Sequence, residues 1–126
     1  MSAPLVWECI KNFNSFQRKG LNFTRFSAEK GNLYALSTYK HSGLANAKTV
    51  HIEADGSAVT VSKSRSKATQ KPKTSQSTVT MKRSARRVLA AVGKEVAGFR
   101  PDLKKAAVAR AAFVLKSIRV QKAKKV

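Results

Sequence analysis

Six carboxylates, two histidines and one cysteine are the side chains from which an acid–base, thiolate or metal site would have to be built in this 126-residue sequence. General acid–base work needs carboxylates held as a pair, and a metal needs ligands clustered at short spacing. Instead Glu8, Glu29, Glu53, Asp55, Glu95 and Asp102 are scattered, and His41 and His51 form no close pair with each other or with Cys9. Asp55 belongs to an Asp-Gly turn and Asp102 to a helix start, so both have structural work. No glycine-rich phosphate loop with its lysine occurs. An enzyme is not expected, nor a cofactor or a metal. His51 reads as a surface or cross-strand residue of a strand, and His41, beside Ser42-Gly43, as a loop residue able to meet a base or a phosphate.

The chemistry that remains is cationic. Lysine and arginine number 26 against 6 acids, a formal net charge of +20. Small soluble domains carry a net charge of about 2–8, and so large an excess makes the compact state repel itself. A polyanion relieves the repulsion, and nucleic acid rewards each cation near its backbone through counterion release. The excess is uneven: residues 1–62 hold 7 cations and 4 acids, whereas residues 63–126 hold 19 and 2.

Three groups of candidate RNA contacts follow. Lys63, Arg65, Lys67, Lys71 and Lys73 alternate with small polar residues and Pro72, a pattern suited to lying along phosphates in a groove of folded RNA. Lys82, Arg83, Arg86, Arg87, Lys104, Lys105, Arg110, Lys116 and Arg119 fall on helical segments with almost no balancing acid, and the arginine forks suit bidentate phosphate contact. Lys11, Arg18, Lys19, Lys40, His41, Lys48 and Arg100 complete the set. Among the aromatics, Tyr34, Tyr39 and Trp7 are the candidates for base stacking. Phe13, Phe16, Phe23 and Phe26 are expected in the core.

These residues must be held by a chain with room for one compact domain. Apolar residues make up 42% of it, too many for a wholly disordered basic tail. One cysteine excludes an internal disulfide and fits a reducing compartment. No run approaches the roughly 20 apolar residues of a membrane span, and Glu8 interrupts the only candidate for a secretory signal. Cytosol or nucleus is the expected location.

The fold class is α+β: a small N-terminal helix plus an antiparallel sheet with a hairpin, a basic extended linker, and two C-terminal amphipathic helices. Ser2 and Pro4 suit a helix start near residues 3–12, with a strand as the alternative. Short strands are expected around Gly20 and another over Leu33 to Tyr39. Val50 and Ile52, then Val59 and Val61, alternate with polar residues around Asp55-Gly56, a hairpin signal. The expected division is a globular part at 1–62, a linker at 63–78 that is disordered in the free chain, and a two-helix segment with a short tail at 79–126. The linker contains no large apolar residue. In the first C-terminal helix Met81, Ala85, Val88, Leu89, Val92 and Val96 form the apolar stripe, ended by Gly98. In the second, after Pro101 and Asp102, the stripe is Leu103, Ala107, Ala111, Val114, Leu115 and Ile118.

Leu5-Val6-Trp7, the run KNFNSF followed by Arg18-Lys19, Asn32-Leu33, Ser42-Gly43-Leu44, Lys48-Thr49-Val50 and FRPDLKKAAVARAA at 99–112 together resemble the eukaryote-specific large-subunit ribosomal protein twenty-eight family. The resemblance covers nearly the whole chain in order and spacing. It implies a structural, non-catalytic constituent of the large ribosomal subunit, in the cytoplasm with nuclear and nucleolar transit during assembly. Implied partners are ribosomal RNA of the large subunit and neighbouring ribosomal proteins, with no membrane, no small-molecule substrate and no homo-oligomer. A chromosomal DNA-compacting protein is the alternative that the basic helices and the Lys-Pro-Lys run leave open.

Overall fold

The structure, a computed structural model, describes residues 1–68 and 70–124. Helix α1 spans Ala3–Ile10, with Ser2 extended at its N-cap and Pro4 in the first turn. Proline costs nothing there, because the first amides of a helix lack partners anyway. Strands β1 (Gln17–Lys19) and β2 (Arg25–Ser27) pair antiparallel, Arg18 opposite Phe26 and Lys19 opposite Arg25.

The segment expected as a strand over Leu33 to Tyr39 is a set of turns instead, in strand pairing only at the single bridge Phe26–Leu36. Two features prevent extension. Ala35 has φ +55, and the Asn32 side chain accepts from the Leu36 amide at 3.2 Å and donates to the Leu36 carbonyl at 2.7 Å. An asparagine amide that pairs with both backbone groups four residues on folds the chain back on itself.

Strands β3 (Val50–Asp55) and β4 (Ala58–Ser64) form the expected hairpin, with Asp55 opposite Ala58 and Gly56 at φ +57 supplying the turn. The chain then departs from the extended linker expected over 63–78. Lys63 and Ser64 end β4, short 3-10 turns follow at Ser66–Ala68 and Pro72–Thr74, and Gln76 opens β5 (Gln76–Met81). Strand β5 pairs along β4 from Ser64–Gln76 to Val59–Met81, so the sheet order is β3-β4-β5. Backbone pairing, not side-chain burial, recruits this stretch, which is why its lack of large apolar residues did not exclude it. Thr69, within the expected linker, lies outside the described residues, as do Lys125 and Val126 of the basic tail.

Helix α2 (Ala85–Ala97) follows β5, so Met81 of the expected helical stripe is a strand residue opposite Val59. Gly98 ends α2 with a right-handed φ of −72. Hydrogen bonds from the amides of Phe99 and Arg100 to the Val96 carbonyl close the turn. A 3-10 turn at Pro101–Leu103 leads into α3 (Lys104–Lys124), which packs against α2 and β3. Buried Val50, Ile52, Val59 and Val61 meet Val88, Val92 and Val96 of α2 and Ala107, Ala111, Val114 and Ile118 of α3, with Leu33 and Leu103 joining them. This one core draws on residues before and after the basic stretch.

The four phenylalanines expected inside are outside it. Phe13 is 84% exposed and Phe23 101%, and Phe16 and Phe26 are also exposed. A ribbon of two three-residue strands offers no second layer to cover them, and the core is closed by the late helices.

Candidate nucleic-acid interface

Three separated pieces of chain converge on one groove. Lys48 comes from the loop before β3, Arg65 and Lys67 from the turn after β4, and Phe99 from the connection after α2; with Ser64 and Ser66 they line a cavity of about 360 Å³. The Lys48 ammonium lies 5.7 Å from the centre of the Phe99 ring, within reach of a cation–π attraction. A second depression shares Lys48 and Phe99 and continues past Asn46 to Pro101 and Asp102. Cations around an aromatic wall suit a ribose-phosphate segment with a base against the ring. Phe99 was not among the expected contacts. Its only sequence signal is its position after a helix-ending glycine and before the Arg-Pro-Asp turn.

A second cation group frames a slot between β5 and α2. Lys82, Arg83 and Arg87 surround it, with Val79, Met81 and Val88 beneath. Arg86 is exposed on the same turn of α2. A third site pairs Tyr34 with Arg110 and Phe113 over Leu33. The Tyr34 ring also meets the His41 imidazole edge-on, with centres 5.1 Å apart. Burial, with help from Lys40 and Arg100, holds the His41 pKa below the usual histidine value, against an opposing pull from Asp102. Tyr39 and Trp7 face each other at 6.1 Å, tying α1 to the loop. Arg18, Lys19, Lys40, Lys71 and Lys73 are exposed, as are Lys104, Lys105, Lys116 and Arg119 along α3.

Three expected RNA contacts have internal partners. Arg100 is a clip: its guanidinium donates twice to the Asp102 carboxylate, at 3.2 and 2.7 Å, and to the carbonyls of Lys48 and Lys40, each at 3.1 Å. Its side chain is only 14% exposed. The same contact holds the Asp102 pKa below the usual carboxylate range. Lys63 pairs with Glu95 of α2, and Lys11 with Glu8. Lys63, Lys11 and Arg100 are the lysines and arginines with a carboxylate partner among the described residues.

The acids are occupied from the other side as well. His51 faces Glu53 of its own strand at 3.3 Å and accepts the Gly31 amide on its other nitrogen, so its side chain ties β3 to the loop at Gly31, where a surface or cross-strand place was expected. Buried Glu29 accepts from Asn32 and from the Gly43 amide, at 3.0 and 3.1 Å. A Cβ on Gly43 would sit 2.1 Å from the Lys30 carbonyl oxygen, so only glycine allows this approach. No group of three or more metal-ligating side chains gathers among the described residues.

Ser64, whose hydroxyl accepts the Thr49 amide at 2.9 Å and donates to the Ala47 carbonyl at 2.8 Å, ties the chain beside Arg65 to that around Lys48, and Arg100 holds the Lys48 carbonyl. The family model described as the ribosomal L28e protein family matches residues 5–117. Large ribosomal subunit protein eL28 of Caenorhabditis elegans is 36% identical over 98% of this chain and 95% of its own length. The protein of the same name from Dictyostelium discoideum is 35% identical over 97% and 92%, and that from Schizosaccharomyces pombe 32% over 97% and 96%. With end-to-end likeness of this kind and a family match over almost all of its residues, the chain belongs to the ribosomal L28e protein family.

Proposed function

We propose that this chain is a structural constituent of the large ribosomal subunit. It holds ribosomal RNA in place by neutralising phosphates and by shape, and it works in the cytoplasm after assembly in the nucleolus. The observation that carries the RNA part is the meeting of Lys48, Arg65 and Lys67 around Phe99, on a chain whose acids are largely spent on internal contacts. Solvated surfaces mix charge signs, and a surface of one sign is built against a counter-charge. RNA supplies that counter-charge, together with bases for the ring. Family membership supports the particle. Neighbouring ribosomal proteins are the remaining partners of the proposal.

The test is binding to large-subunit ribosomal RNA across a salt series. If about 8–10 phosphates are neutralised, log K falls against log salt with a slope of about −6 to −9, and a slope shallower than about −3 contradicts the reading. Neutralising Arg65, Lys67, Lys71 and Lys73 together is expected to flatten the slope and leave the far-ultraviolet spectrum unchanged, since none of the four is buried. In sucrose gradients the chain is expected with large subunits. Nuclease-resistant retention on chromatin, and none on subunits, would favour DNA compaction instead.

A further inference from the structure

The tip of the β1–β2 hairpin carries a residue that the backbone does not want. The Gly20 amide donates to the Thr24 carbonyl at 2.8 Å, and the Thr24 amide to the Leu21 carbonyl at 3.1 Å, so Asn22 and Phe23 are the central residues of a tight turn. Both have positive φ, +53 and +59. Asparagine tolerates that region; the second central position of such a turn ordinarily takes glycine, and a bulky side chain there is strained. No packing offsets the strain, because Phe23 is 101% exposed and its neighbour Leu21 88%. Gly20 carries its own constraint: a Cβ there would lie 2.5 Å from the Phe26 ring, which covers the base of the turn.

The charges around this tip have one sign. No acid occurs between Glu8 and Glu29, while Lys11, Arg18, Lys19 and Arg25 do. Lys19 and Arg25 stand directly opposite each other in the ladder, where like charges destabilise the pair. Arg25 also donates to the carbonyls of Lys11 and Asn12, at 3.3 and 3.2 Å. Arg18 and Lys19 are exposed on β1. A protein surface would need acids placed against this cluster, whereas RNA brings one phosphate per nucleotide and a π-face per base.

We propose that Phe23, held out at the hairpin tip, stacks on an unpaired base of ribosomal RNA while Arg18 and Lys19 neutralise the adjoining phosphates. The inference rests on the RNA-binding reading above and adds a contact to it. Stacking of this kind tolerates any base, so a generic probe tests it.

The full chain is titrated with a stem–loop RNA bearing one unpaired 2-aminopurine and with an uninterrupted duplex of equal length. The expected result is tighter binding to the stem–loop, with the fluorophore quenched. Phe23→Gly is expected to weaken stem–loop binding about tenfold, leave duplex binding unchanged and abolish quenching. Glycine suits the turn better, so its melting temperature should equal or exceed the parent's, which separates lost stacking from lost fold. Phe23→Trp should keep both quenching and preference. Equal binding to the two RNAs, insensitive to Phe23→Gly, overturns the stacking contact and leaves RNA binding standing. Failure to bind either RNA overturns both readings. Unchanged RNA binding with poorer incorporation of Phe23→Gly into large subunits would assign the tip to a protein neighbour and overturn the proposal.

Discussion

Arg100 does the work of several weaker contacts. Its planar fork makes four hydrogen bonds, two to Asp102 within the turn after α2 and two that join that turn to the carbonyls of Lys40 and Lys48. Hydrogen bonds to charged groups contribute about 1.5–3 kcal/mol each, and less where, as here, the bonds are open to water. Arg100→Lys keeps the charge but loses the fork, and a loss of about 2 kcal/mol is expected in urea denaturation. Asp102, with its pKa lowered by Arg100, contributes stability above about pH 4 that disappears as pH falls through its folded value. His41 acts over a higher range. Its folded pKa is lowered, so below about pH 6.5 the unfolded chain takes up a proton that the folded chain resists, and stability falls with pH. A His41 ring resonance titrating at or above 6.5 in nuclear magnetic resonance would contradict this.

Helices α2 and α3 meet across small residues, and Gly93 lies buried in the middle of α2. A Cβ there would find the Val108 methyl at 3.5 Å and the Lys104 side chain at 3.7 Å, ordinary contact distances. Gly93→Ala is therefore expected to stabilise the chain by about 1 kcal/mol, the helical cost of glycine, read as a higher denaturation midpoint. Local signals of this kind were legible in the sequence. The Asp55-Gly56 hairpin, the Pro4 start and the Val88-Val92-Val96 stripe need only nearby residues to be recognised. Strand β5 was hidden because Val79 and Met81, alternating with Thr78 and Thr80, run directly into helical spacing, so Met81 fits both periods. The phenylalanines misled because aromatic mass suggests burial, while the core was closed by valine and alanine from distant helices. Of the candidate interface, the excess of cations was legible and its grouping was not. Lys48, Arg65 and Phe99 meet only through tertiary packing, and Lys63 met a glutamate 32 residues away.

A net charge of +20 on one core makes the isolated chain a repelling body. Screening should relieve this, since the Debye length falls from about 30 Å at 0.01 M salt to about 10 Å at 0.1 M. The melting temperature of the free protein is expected to rise over that range, and heparin at low salt should raise it further; scanning calorimetry reads both. A flat response would mean that the cations are too dispersed to oppose folding. The single core has a further outcome during synthesis. The apolar side of β3, with Val50 and Ile52, is roofed by Ala107, Ala111 and Val114, which leave the peptidyl-transferase centre more than fifty codons later. Until α3 has emerged, the growing chain holds open a valine-rich sheet, so its final shape waits until residues 104–124 have cleared the exit tunnel, and products truncated before α3 should be prey for quality-control proteases.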